Sequence, residues 1–323
     1  MKIWVSLFYL VLSCVGSAKV PDYTFLQQVS VEMLVDGNLA GTGVIVKEDG
    51  TLLSAAHVIR GPAATLEIRS DTLGRHPVEV LNLDYGHDLA LLRIKHPLKD
   101  LKTAKLAVRP PKPGEDVFLL GAAFYRHDVL IRGAVGREKP AVEYLDGHFT
   151  YMIHVTAPSP GGVSGGGWFN AAGELVFIQS GNITVNGAPQ GISMAAPLVS
   201  LKSLLAAEEL IHTATLYMAV EELWGQSSQF IGAFNYDKPA LVIRQVKKGR
   251  AAHIAGIRDL DMLIEMDGRA YERIDGFLKA LRVKNEGDTM TLKVVNKEGK
   301  DLRSFEVTVE SLEARWRGKL AER

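Results

Sequence analysis

The chain has 323 residues, enough for about two domains, and 47% of them are apolar, an ordinary share for a folded protein. Lysine plus arginine and aspartate plus glutamate both number 37, so the formal net charge is zero; with no basic stripe carrying interleaved aromatics, nucleic acid is excluded as a partner. A single cysteine, Cys14, excludes a disulfide framework within the chain, and the nine histidines are too scattered for a metal motif, so neither metal nor cofactor is expected.

The chain opens on "MKIWVSLFYLVLSCVGSAKV". Lys2 precedes a mainly apolar run from Ile3 to Gly16, and Gly16-Ser17-Ala18 offers small residues for cleavage, so residues 1–18 read as a secretory signal peptide too short to span a bilayer. A second reading uses "VLSC", which fits a lipoprotein signal that makes Cys14 the lipid-anchored first residue. Both readings export the protein to the periplasm or cell envelope.

From Val29 to Pro197 short strands alternate with turn residues, as in a β-sandwich or barrel. "GTGVIVKEDGTLLSAAHV" reads as strand, Asp49-Gly50 turn and strand, and "ATLEIRS", "PVEVLNLD", "DLALLRIK", "DVFLLGAAF", "YMIHVTA", "ELVFIQSG" and "GISMAA" continue the series. The proline-rich "VRPPKPGED" divides it and reads as the link between two β-barrels. In "PLVSLKSLLAAEELI" the period changes: Leu201, Leu204 and Leu205 share one face of a helix that Pro197 can start, closing a domain over residues 24–212. Residues 213–310 form a second, α+β unit. Its strands are "ALVIRQV", "DMLIEMDG", "TMTLKVVNK" and "SFEVTVE", and its helices are "RAAHIAGI" and "RIDGFLKALRVK". Residues 311–323, "SLEARWRGKLAER", read as a charged tail with a frayed helix.

"SPGGVSGGGWFN" places Ser164 among five glycines, whose backbone freedom is costly on folding and needs a reason. Serine hydrolysis supplies one. The hydroxyl needs a base, the base needs an orienting carboxylate, and the oxyanion needs N–H donors, here Gly162 and Ser164. His57, ending the strand "TLLSAAH", is the candidate base, and Asp88, beginning "DLALLRI", the candidate orienter. Taken singly, Ser164 also fits a glycine-rich turn, His57 a core histidine and Asp88 a turn residue; the ordered combination points to catalysis. Asp84 is a rival acid placed off the strand, His87 reads as solvated, and His154 as structural. Gly162 to Gly166 also fits the G-x-S-x-G elbow, but an apolar strand follows where that motif needs a helix.

"LLSAAHV", "HDLALLRI" and "GGVSGGGWFN" resemble the three catalytic blocks of trypsin-like serine proteases, in particular the HtrA/Deg branch. "ALVIRQVKKGRAAHIAGIRDLDMLIEMDGR" is similar to the body of a PDZ domain. The resemblance covers about residues 24–310 and implies a mainly β protein: a chymotrypsin-like double β-barrel followed by a small α+β PDZ domain. It implies a serine endopeptidase using His57, Asp88 and Ser164 on unfolded or damaged envelope polypeptides, and it implies a homotrimer.

Val163 stands where this branch has asparagine, which puts the oxyanion hole in question and keeps a peptide-holding, non-cleaving homologue as the alternative. The first-barrel loop "VDGNLAG" is short, which argues against cage assemblies built on it. From the resemblance, Pro158, Ile178, Gln179 and Ser180 wall a specificity pocket that has no carboxylate, so a small or medium apolar side chain is expected there. The PDZ peptide groove falls on Leu216, Tyr217, Met218 and Ala219, opposite Phe277, Leu278 and Leu281, with "QFIGAF" as a following helix or turn, and would take a C-terminal peptide. Plain core packing explains the same apolar residues.

Overall fold

In the computed structural model, which describes residues 19–236, 238 and 240–318, the strand-rich first part of the chain closes into two barrels. The signal segment and Cys14 lie outside the described residues. Helix α1 (Tyr23–Val29) starts at Asp22, whose carboxylate accepts from the Thr24 N–H. Then come β1 (Ser30–Val35), β2 (Asn38–Ile45), β3 (Thr51–Ala55), β4 (Leu66–Ser70), β5 (Gly74–Asp84) and β6 (Leu89–Ile94). They form a closed barrel in the order β1-β2-β3-β6-β5-β4.

After the proline-rich link come β7 (Asp116–Gly121), β8 (Val129–Val135), β9 (Ala141–Leu145), β10 (His148–Thr156), β11 (Gly167–Phe169), β12 (Leu175–Val185) and β13 (Ala188–Pro197). Their order is β13-β12-β11-β7-β8-β10-β9. An added pairing of β10 with β13 closes six of them into a ring and leaves β9 outside, as the free arm of a hairpin with β10. Helix α2 (Leu198–Ala206) follows Pro197 directly, with Pro197 as its extended N-cap, one residue before the first-turn position where proline's fixed φ favours a helix. Its fully buried Leu201 and Leu204 fill the seam between the barrels, against Val44 and Leu53 of the first and Leu120, Phe169 and Ile178 of the second. Each such leucine contributes roughly 1.5–3 kcal/mol by leaving water, so the seam that carries the site is well anchored.

The second unit comprises β14 (Ala214–Thr215), β15 (Ala219–Glu222), α3 (Ser228–Ile231), β16 (Leu241–Arg244), α4 (Ala251–Ala255), β17 (Met262–Met266), α5 (Ile274–Leu281), β18 (Thr289–Val295), β19 (Leu302–Thr308) and β20 (Glu310–Ser311). Strands β15 to β19 form an antiparallel sheet in chain order, and the two-residue β14 and β20 pair with each other. The sheet, α4 and α5 enclose a core that includes Leu241, Ile243, Phe277 and Leu292.

The two units are joined more tightly than a flexible link would allow. Phe149, on the β9–β10 hairpin, belongs to the core of the second unit, and Val142, Tyr144 and Tyr151 pack against it. Arg282, at the end of α5, donates to the carbonyls of Ala214 and Phe149.

The C-terminal segment departs from the frayed helix expected of it. Trp316 is fully buried in the first barrel's core, and its indole N–H donates to the Tyr85 hydroxyl at 3.0 Å. Glu313, also fully buried, accepts from the N–H groups of Tyr85 (3.1 Å) and Thr213 (2.8 Å) and from the Ser311 hydroxyl (3.1 Å). Three donors make burial of that carboxylate tolerable. Charge counting concealed a tryptophan with a core to enter.

Candidate active site

Strand β3 ends at Ala55, and one 3-10 turn, Ala56–Val58, then aims the His57 ring; the strand thus stops before the histidine rather than on it. The small Ala56 lets its N–H reach the Asp88 carbonyl at 3.0 Å. Asp88 stands just before β6 with φ of 52°, a left-handed conformation that aspartate tolerates in turns. Its carboxylate accepts the His57 backbone N–H at 2.8 Å through Oδ1 and faces the ring Nδ1 at 2.7 Å through Oδ2. The Ser180 hydroxyl donates to the same Oδ2.

Asp88 is 1% exposed, and burial alone would disfavour its charge. The His57 charge and the bonds from His57 and Ser180 outweigh that and hold its pKa below the usual carboxylate value. For His57, burial likewise opposes protonation, but the Asp88 charge and hydrogen bond, with a smaller pull from Asp146, raise its pKa above 6.5. The His57 side chain keeps 26% exposure, so the imidazole is within reach of a ligand.

Ser164 joins this group through Ser180. Its hydroxyl donates to the Ser180 carbonyl at 3.1 Å, while the Ser180 side chain holds Asp88. One residue of β12 therefore bonds to both the serine and the carboxylate. Loose or diverted hydrogen bonds of a nucleophilic hydroxyl are common where no substrate is bound.

The glycines divide into those the geometry requires and those it does not. Gly162 has φ of 98°, and a Cβ there would lie 2.1 Å from the Ala122 carbonyl oxygen. Gly165 has φ of 84°, and its Cβ would lie 2.2 Å from the Thr42 carbonyl oxygen. At Gly161 a Cβ would meet only the Tyr125 hydroxyl at 3.7 Å, an ordinary contact. Thr42 fastens the loop to the first barrel: its hydroxyl donates to the Gly162 carbonyl at 2.9 Å, and its N–H to the Ser164 carbonyl at 2.7 Å.

The Gly161 and Val163 carbonyls accept from the N–H groups of Phe124 and Gly166, respectively. In a trans peptide the following N–H points the opposite way, which turns the Gly162 and Ser164 amides away from those bonds. Among the described residues neither amide has an acceptor. Val163 itself is 1% exposed and packs in the second barrel's core with Leu119 and Trp168. It serves the loop as an anchor.

A second histidine–aspartate pair sits beside the first. Asp84 is the last residue of β5 rather than lying off the strand, and it accepts from the His87 backbone N–H and ring Nδ1 at 3.1 and 2.7 Å. His87 is thus bonded rather than merely solvated. His154 pairs with Glu143 at 2.6 Å within the β9–β10 hairpin, a structural role.

The residues expected to wall a specificity pocket have unlike surroundings. Pro158 is exposed, Ile178 is in the seam core, and Gln179 is fully buried between the Trp168 indole N–H and the Gly181 carbonyl. Ser180 serves Asp88 instead, a role that nothing in "ELVFIQSG" signalled. Of the groove residues, Leu216, Met218, Ala219, Phe277, Leu278 and Leu281 all lie in the second unit's core, so packing accounts for them. Tyr217, with φ of 53°, is half-buried beneath Arg250 and Lys247. Segment "QFIGAF" begins within α3 and runs on past its end, so it is part helix and part turn. Among the described residues no metal-holding cluster occurs.

Residues 41–178 match the model of the trypsin-like peptidase domain. The chain is 28% identical over 279 residues to a "Probable periplasmic serine endoprotease DegP-like" of Marinomonas sp. (strain MWYL1), covering 84% of this chain and 57% of the relative. It is 32% identical over 238 residues to a protein of the same name from Pseudomonas savastanoi pv. phaseolicola, covering 71% and 47%. The chain spans about half the length of the curated relatives it matches. Two solved structures share the fold: "HtrA-type protease AlgW with decapeptide" (TM-score 0.60, 16% identity, 90% of this chain and 98% of that one) and the serine endoprotease from Yersinia pestis (TM-score 0.56, 18%, 90% and 98%).

Proposed function

The chain is an HtrA/Deg-like protein with a trypsin-like peptidase domain, and from that premise we propose that it is an exported serine endopeptidase acting on unfolded polypeptides of the cell envelope. The observation that carries this reading is the pair of hydrogen bonds made by Ser180, whose hydroxyl donates to Asp88 while its carbonyl accepts from the Ser164 hydroxyl. With His57 fastened to the same carboxylate, one strand residue draws nucleophile, base and orienter into a single group.

In this mechanism the Ser164 hydroxyl leaves the Ser180 carbonyl by side-chain rotation and turns to His57 Nε2. Asp88 accepts from Nδ1–H and so keeps Nε2 free to take the proton as Ser164 attacks the peptide carbonyl. The Gly162 and Ser164 amides receive the oxyanion, a contribution of about 100- to 1000-fold in rate per donor. Protonated His57 then gives its proton to the leaving amine, and water repeats the sequence to release the acyl group. An extended, unfolded chain suits a cleft walled by strands. The second unit would act as a PDZ module, adding a peptide strand at the free edge of β15 after the Leu216–Ala219 segment.

The diverted Ser164 hydroxyl also favours a second reading, a homologue that holds peptides without cutting them. Incubation with β-casein separates the two. The protease reading expects cleavage by the wild type and none by Ser164→Ala; equal, absent cleavage by two folded proteins rejects it.

A further inference from the structure

Next to His57 lies a cavity of about 480 Å³ whose walls come from three separated parts of the chain. The first barrel contributes His57 and Arg60, the β9–β10 turn Asp146, and the second unit and C-terminal segment Lys247, Arg250 and Arg315. Four guanidinium or ammonium groups thus face a space that one carboxylate shares.

Their partners decide how much of that charge is available. Arg250 is paired with Glu310 and lies 3.9 Å over the Tyr217 ring. Glu313, in the same C-terminal segment as Arg315, is fully buried and taken up by its three donors. Arg60, Lys247 and Arg315 have no carboxylate partner among the described residues. Lys247 sits 5.2 Å over Tyr217, and Arg315 sits 5.3 Å over Tyr85 while donating to its hydroxyl. Aromatic faces position these cations without neutralising them. Like charges gathered in a concave site focus the field and draw in anions.

We propose that this cavity is a substrate subsite for a carboxylate, an aspartate or glutamate side chain of the bound polypeptide close to the scissile bond. The proposal rests on the protease reading above. Three features favour a peptide carboxylate as the occupant. The cavity includes the imidazole that must lie against the scissile bond. A guanidinium fork matches a carboxylate. The third concerns the reaction itself: His57 gains a positive charge as Ser164 attacks, and the surrounding cations oppose it. A substrate carboxylate among them cancels that opposition, so an acidic residue accelerates the step besides strengthening binding.

The test uses quenched fluorescent peptides that differ only in carrying aspartate, alanine or lysine at one position on either side of the scissile bond. The full chain is assayed at low and high salt. At one position aspartate is expected to exceed lysine by about tenfold or more in kcat/KM, a preference that shrinks as salt screens the pocket. The double reversal Arg60→Glu with Lys247→Glu inverts the preference. Arg60→Gln with Lys247→Gln abolishes it, and serves should the reversed protein not fold. Ratios within about twofold at every position, or a preference that survives both variants, overturn the subsite alone. A wild type that cleaves none of the peptides and does not cut β-casein overturns the protease reading and the subsite with it.

Discussion

Two histidine–aspartate pairs stand side by side in this protein, His57–Asp88 and His87–Asp84, and their inner geometry is nearly the same. In each, the ring Nδ1 lies 2.7 Å from a carboxylate oxygen while the histidine backbone N–H donates to the other oxygen. What differs is the surroundings. Asp84 and His87 are three residues apart, the local reach of a turn. Asp88 reaches 31 residues back to His57 and also accepts from Ser180, which holds Ser164 from a third part of the chain. A histidine–aspartate bond is therefore common geometry, and convergence of distant segments is what marks the pair proposed for catalysis. Tyr85 lies between the two aspartates, and Glu313, Arg315 and Trp316 of the C-terminal segment grip it.

The largest contrast is expected from matched substitutions. Asp88→Asn should lower kcat by about 10⁴-fold, because the ring loses the partner that fixes its tautomer. Asp84→Asn should change kcat by less than about tenfold, since its pair touches no reacting group. Comparable losses in steady-state assays of the two variants would erase the distinction between the pairs. Next comes the brace on Tyr85: Trp316→Ala should cost about 3–5 kcal/mol in stability by leaving a core cavity. Urea unfolding measures this, and a midpoint close to that of the wild type would show that the C-terminal segment does not hold the first barrel. Gly162→Ala should reduce kcat by about 100- to 1000-fold, as the loop must move off the Ala122 carbonyl and take an oxyanion donor with it. Single-turnover rates read that loss apart from any change in binding.

The smallest effect is in pH dependence. Catalysis needs neutral His57, and Asp88 raises its pKa above 6.5 against burial. Activity should thus fall as the pH drops through a midpoint above 6.5 in kcat/KM. Without the Asp88 carboxylate, burial is opposed only by the smaller pull of Asp146, so the residual activity of Asp88→Asn should show a lower midpoint. In Asp84→Asn the midpoint should stay near the wild-type value. A wild-type midpoint at or below 6.5 would contradict the assigned role of Asp88.

Much of this was legible in the residues. Alternation and turn dipeptides mark most strands, the proline-rich stretch marks the link, and Pro197 with the leucine spacing marks α2. Strands β8 and β9 escaped because "VLIRGAV" and "AVEYL" lack apolar–polar alternation, and helix α1 because "YTFLQQV" is only about two turns long. At the site, His57, Asp88 and Ser164 were readable as an ordered set, and the close contacts of Gly162 and Gly165 account for two of the glycines around the serine. Ser180 was not readable for its role, since a lone serine in an apolar strand gives no sign of which distant carboxylate it will meet. Tyr85 and Trp316 were missed for a similar reason: their bond spans 231 residues, and only folding makes them neighbours.

Covalent labelling of the serine tests the central claim most directly. A fluorophosphonate should modify the folded wild type at Ser164, as mapped by peptide mass spectrometry. Ser164→Ala should take up none, and His57→Ala should react far more slowly. A folded wild type that remains unlabelled at Ser164, across the pH range where His57 is neutral, would contradict the account.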